Sequence, residues 1–158
     1  MPTNSASPAA FQPSDPDYRA RVEASFMRQK TMGTLRIALV RVEPGEVELT
    51  FPYQDQLTQQ HGFIHAGVLA TALDTACGYA AFSLMSPEAA VLSVEFKINL
   101  LAPAQGDHFR VVGRVVKPGR TITVCQADAF ACSGDQLKLI ASMTGTMMAV
   151  VDRDGIAH

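Results

Sequence analysis

The period of the hydrophobic positions changes several times along the chain, and each change marks an element. Tyr18, Val22 and Phe26 recur four apart behind Ser14 or Asp15 as a cap and Pro16 at a first helical position, which predicts a short helix ended by Gly33. Leu35–Val42 and Glu46–Tyr53 then read as strands joined by the turn Glu43-Pro44-Gly45, a hairpin. The polar stretch from Tyr53 to His65, with Gly62 near its end, reads as a loop.

From His65 to about Leu84 the period becomes helical, with Val68, Leu69, Ala72, Leu73, Ala76, Cys77, Ala80 and Ala81 in an i, i+1, i+4, i+5 pattern. Ala66, Gly67, Ala70 and Gly78 make the rest of its surface small or apolar as well, so this longest helix should be buried nearly all round. After Pro87 come four strand-like runs, Val91–Leu101, His108–Val116, Thr121–Cys132 and Leu137–Val151, separated by segments of turn chemistry. The order predicts an α+β fold in which an antiparallel sheet wraps around one long central helix. Residues 1–13, rich in Pro, Ser and Ala, read as a flexible N-terminal tail, and 14–158 as a single domain.

Composition narrows the function classes. The 158 residues, 47% hydrophobic, suffice for one core, and a formal net charge of -2 with scattered Lys and Arg offers no stripe for nucleic acid. Cys77, Cys125 and Cys132 have no metal-like spacing and lie in apolar stretches, which points to core thiols in a reducing cytoplasm and to no metal site. The N-terminus lacks the basic start and apolar core of a secretory signal, and every apolar run is too short to span a membrane, so a soluble cytoplasmic protein is expected.

Asp74 stands out as an acid inside an otherwise apolar, small-residue helix, with Ala70 and Gly78 one turn away on either side leaving room for a ligand. A carboxylate there is costly unless it is hydrogen-bonded or functional. The bland alternative is an aspartate satisfied by a neighbour such as Thr71, and His61 and His65 read equally well as packed loop residues.

Gln59-Gln60-His61-Gly62-Phe63-Ile64-His65-Ala66-Gly67, followed by Asp74-Thr75-Ala76, the strand Ser93-Val94-Glu95-Phe96-Lys97-Ile98-Asn99 and the turn Lys117-Pro118-Gly119-Arg120-Thr121, resembles the pattern of hotdog-fold acyl-CoA thioesterases of the phenylacetic-acid-degradation (PaaI-like) type, from about Val42 to Val150. The resemblance implies a hydrolase that uses a carboxylate on the central helix, an amide side chain in the preceding loop and a backbone N–H at the helix start, which become Asp74, Gln59 and Ala66. Gln59 stands where such relatives most often carry Asn, and Ala66 stands within their usual His-Gly-Gly run. The family's carboxylate acts either as nucleophile, through an anhydride, or as general base for water; Ser93 matches a strand serine that in some relatives helps hold that water. A second reading is an acyl-CoA binder that keeps the fold without efficient chemistry.

Thioester hydrolysis needs donors aimed at the developing oxyanion and an attacking group opposite them. Helix-start N–H groups at Ala66 and Gly67, at the positive end of the helix dipole, suit the first role, with His65 orienting the turn. Lys97, Lys117 and the Gly119-Arg120 turn are the expected contacts for CoA phosphates, and Phe63, Phe82 and Met85 for the acyl end. Coenzyme A belongs to the substrate, so no cofactor is expected. Ala66 and Asp74 lie eight residues apart, about 12 Å along a helix axis, whereas attack needs contact at about 3–3.5 Å. The expected assembly is therefore a homodimer with two shared sites, alone or as a dimer of dimers.

Overall fold

The long apolar helix runs as α3 (Ala66–Phe82), and the other elements are arranged around it. The computed structural model describes residues 11–156. Before α3 come α1 (Tyr18–Met27), α2 (Lys30–Leu35), β1 (Ala38–Glu43), β2 (Glu46–Pro52) and one 3-10 turn (Asp55–Leu57); after it come β3 (Ala90–Leu100), β4 (His108–Lys117), β5 (Ile122–Ser133) and β6 (Gln136–Val150). The strands form one antiparallel sheet in the order β1-β2-β4-β5-β6-β3. Alternate residues such as Leu49, Phe109, Val111, Ala127 and Met143 turn inward and are fully or almost fully buried with Leu73, Ala76 and Cys77 of α3. This is the α+β hotdog arrangement expected from the pattern.

At Gly113 of β4 the sheet comes close to the backbone of α3. A Cβ built there would lie 2.4 Å from the carbonyl carbon of Ala76, which is backbone and cannot swing aside. Gly113→Ala should therefore push α3 off the sheet and cost about 1–3 kcal/mol, read as a lower urea midpoint with an unchanged m-value.

The N-terminal region departs from expectation. The first helix does not run to Gly33: it stops at Met27, and Gly33 lies inside the separate six-residue α2, whose buried Met32 ties it to the core. That helix ends at Leu35, with Arg36 at φ 55°, so β1 starts at Ala38 rather than Leu35. Asp15, buried, accepts from Asp17 N–H and from Arg21 Nε (2.7 Å), while Arg21 Nη2 donates to the carbonyls of Phe82, the last residue of α3, and of Met85 just beyond it. The tail assignment falls mostly on residues 1–10, outside the described residues; Phe11, also assigned to it, packs against the core beside Gly45.

Among the described residues edge strand β3 has β6 as its sole partner strand, and Val94, Phe96 and Leu100 on it are 54%, 44% and 56% exposed. A bulge between Ser93 and Glu95 shifts its register beside α3. Because β3 stops at the sheet edge, α3 is not buried all round as its composition predicts. Gly67 is exposed, and Ala70, Thr71, Asp74 and Gly78 are half-buried along one stripe. All three cysteines are buried free thiols, and burial raises Cys125 to about 12. No helix among the described residues is long and apolar enough to cross a membrane.

Candidate active site

The residue spacing of α3 puts Thr71, Asp74, Thr75 and Gly78 on one face, and that face forms a wall of a cleft of about 220 Å³. β3 supplies a second wall with Val91 and Ser93, and α2 with the residue before it supplies a third with Gln29, Thr31 and Met32. Ser93 Oγ donates to Asp74 Oδ1 at 2.7 Å, which leaves Oδ2 with no hydrogen-bond partner among the described residues. Burial pushes the Asp74 carboxyl above its ordinary value of 3.8, and the Ser93 hydrogen bond opposes this more weakly. Thr71, the neighbour offered by the bland reading, spends its hydroxyl on Gly67 O, so Asp74 is held by Ser93 instead.

A second groove lies at the start of α3. Gln59, Phe63, Ile64, Ala66 and Leu69 line it, facing Leu100–Ala104. The preceding loop is fixed there by backbone bonds from Ile64 N–H to Ala104 O and from His65 N–H to Leu57 O. Within the loop, Gln59 Oε1 accepts from His61 N–H, which turns the amide so that Nε2 is left to donate outward. His65 is the N-cap of α3: its Nδ1 accepts from Gly67 N–H at 2.9 Å, so the neutral ring carries its proton on Nε2. That bond consumes the Gly67 N–H expected to serve as an oxyanion donor. Val68 N–H is taken by His65 O, which leaves Ala66 N–H as the one of these three without a partner among the described residues.

Gln59, Phe63 and Ala66 are thus together, and so are Asp74 and Ser93, but the two groups line separate clefts of the same chain. Phe82 joins neither. It is fully buried beneath the Arg21 guanidinium, 4.2 Å from the ring centroid, and it packs edge-on against Tyr79, so it cannot meet an acyl group. Met85 is likewise nearly buried, away from both clefts. Lys97 is exposed and donates to Asn99 Oδ1. Lys117, Gly119 and Arg120 are exposed on the β4–β5 turn, where a Cβ on Gly119 would sit 2.1 Å from Ile122 O. Arg120 borders a cleft with Ser14, Leu84 and Met85, beyond the C-terminal end of α3. Sequence reasoning missed Gln29, Thr31 and Met32, because a wall delivered across some forty residues of chain leaves no local spacing to read. Among the described residues no group of three or more His, Cys, Asp or Glu is placed to hold a metal ion.

Comparison with known proteins identifies the family. The sequence profile of the thioesterase superfamily matches residues 61–138. A thioesterase family protein from Silicibacter pomeroyi is 54% identical, with a TM-score of 0.84 over 85% of this chain and 99% of its own. A candidate esterase of Halobacterium salinarum is 35% identical over 115 residues, 70% of this chain and 76% of its own length. The curated relatives are spanned over 66% to 76% of their length. The E. coli PaaI protein of the phenylacetic acid degradation operon, 21% identical, shares the fold, with a TM-score of 0.77 over 85% of this chain and 94% of that one.

Proposed function

This chain belongs to the thioesterase superfamily, and from that premise we propose that it hydrolyses an aryl- or medium-chain acyl-CoA to the free acid and CoA at a site shared between two copies. The observation that carries the reading is the half-buried Asp74, held through Oδ1 by Ser93 with Oδ2 open to a cleft. In one route the ionised carboxylate attacks the thioester carbonyl carbon, the C–S bond breaks, and water hydrolyses the resulting acyl-Asp74 anhydride to free acid and carboxylate. In the other the carboxylate takes a proton from a water that attacks the carbonyl carbon directly, and the C–S bond then breaks. In both routes a proton of water ends on the thiolate, giving CoA. Ala66 N–H and Gln59 Nε2 stabilise the oxyanion, with the α3 dipole behind them. The exposed Lys117 and Arg120, with Lys97, are the cations available to the CoA phosphates.

The course of β3 supports a shared site. Ser93 lies beside Asp74, and Leu100 lies beside Gln59 and Ala66. If two copies of β3 pair antiparallel about a dyad midway between these residues, Ser93 of each chain falls opposite Leu100 of the other. Asp74 of each then faces the donors of its partner, with the backbones about 4.8 Å apart. The unpaired edge and the exposed Val94, Phe96 and Leu100 support such pairing, because a long apolar edge strand otherwise invites uncontrolled association. The test is thiol release from a panel of acyl-CoAs: the native protein should release thiol continuously and in proportion to enzyme, and absence of release from every member would refute the reading.

A further inference from the structure

The outer face of the sheet, turned away from α3, carries a pattern that neither cleft uses. On β5 the buried Thr123, Cys125, Ala127 and Ala129 face the core, so Ile122, Val124, Gln126, Asp128 and Phe130, which alternate with them, face outward. The strand registers extend these positions sideways into rows. One end of the face is apolar, with Ile122 beside Met148 and Leu92; so is the other, with Phe130 beside Leu139 and Cys132 beside Leu137. Leu92, Ile122, Leu137 and Leu139 are exposed. Two mostly polar rows form a belt between the ends: Arg114, Gln126, Thr144 and Lys97, then Val112, Asp128, Ser142 and Asn99.

Asp128 is half-buried in this belt, and its carboxylate has no hydrogen-bond or ion-pair partner among the described residues. Arg114 and Lys97 are exposed in the adjacent row; Arg114 Nε donates to Glu46, and Lys97 Nζ to Asn99. Apolar ends left in water and a partly desolvated acid left without a partner are both unfavourable. A surface that offers apolar groups at both ends and cations in the middle would relieve both.

This face is itself such a surface. A two-fold axis lying across the strands between the two belt rows passes over Ala127 of β5. It sets Ile122 against Cys132 of a second copy, Val124 against Phe130 and Gln126 against Asp128. Apolar ends then meet, and each Asp128 comes beneath the row that holds Arg114 and Lys97 of the other copy. The same axis crosses β3 at Ile98, between Lys97 and Asn99, next to the dyad of the shared site midway between Ser93 and Leu100. Two perpendicular axes meeting at one place close four chains into a tetramer, whereas axes set apart would build an open array. Six rows on four strands cover about 34 Å by about 19 Å, or about 650 Å² per chain, so the two chains of one dimer together exceed the roughly 800 Å² per partner of a standard interface.

We propose that the outer face of the sheet joins two shared-site dimers, sheet against sheet at about 10 Å, through its apolar ends and the pairing of Asp128 with Arg114 and Lys97 of the opposite copy. The contact goes beyond the hydrolytic reading and rests on its shared site only for closure at four chains.

The experiment measures molar mass by light scattering on a sizing column, beside thiol release, for native, Ile122→Lys and Asp128→Arg protein. The native protein should run at four times the chain mass of 17.0 kDa. One substitution sets a cation against an apolar end and the other sets it against cations, so each should halve that mass. Thiol release per chain should stay within about twofold of native in both, because neither side chain borders the Asp74 cleft or the Gln59 groove. A native mass of two chains, or four chains in both variants, would overturn the contact and leave the shared site standing. Two-chain variants of a four-chain native protein would support it even without turnover of any acyl-CoA, an absence that sinks the hydrolytic reading alone. A variant that falls to one chain would overturn the β3 pairing, and the closed tetramer with it.

Discussion

Asp74→Asn should lower kcat by about three orders of magnitude on any acyl-CoA the native protein turns over, because the amide can neither attack a carbonyl nor accept a proton from water. The same variant should melt at a higher temperature than the native protein. Burial raises the Asp74 pKa above the ordinary 3.8, so above the raised pKa the folded state carries a partly desolvated charge that the unfolded state keeps fully hydrated. The penalty is relieved as pH falls through the raised pKa, and asparagine removes it at every pH while still accepting the Ser93 hydrogen bond. Activity should move the other way: since both chemical roles need the carboxylate ionised, kcat/KM should fall on the acid side with an apparent pKa above 3.8. Lost activity with raised stability is the signature of a group kept for chemistry. A variant that loses activity and stability together would mark Asp74 as a structural residue.

Two inactive variants should restore each other. Asp74→Ala lacks the acid, and Gln59→Ala lacks the amide donor, a loss worth about a hundredfold or more in rate. If each site takes its acid from one chain and its donors from the other, a mixed dimer has one intact site and one doubly defective site. Random exchange makes half the dimers mixed, and half of their sites are intact, so co-refolded chains should recover about one quarter of native activity. A mixture no more active than the sum of its parts would place acid and donors in one chain. That outcome would also contradict the separation of the Asp74 cleft from the Gln59 and Ala66 groove.

The sequence by itself determined the order of the long helix and the six strands, and it marked Asp74 as an anomalous acid. Its apolar periods are local properties of three to five residues, so α3, the β1–β2 hairpin and the four later strands were all legible within a few residues of their ends. Asp74 was legible because a carboxylate among small apolar residues is anomalous in any fold. Where a residue's role depends on what lies across space, local pattern failed. Phe82 shares the helical period with surface-lining positions, yet Arg21, from sixty residues earlier, stacks on it and closes it off. Gly67 reads as an open donor along the sequence, whereas in the fold its N–H is held by His65 Nδ1, a matter of one side-chain torsion. Gly33 read as a terminator, but burial of Met32 outweighs its poor helix propensity and carries a second helix through it. Only the tertiary structure set Ser93 on Asp74, brought α2 over the cleft and left β3 at the edge of the sheet. Each of these depends on long-range packing, which the chain encodes in the sum of its contacts and not in any short stretch of it.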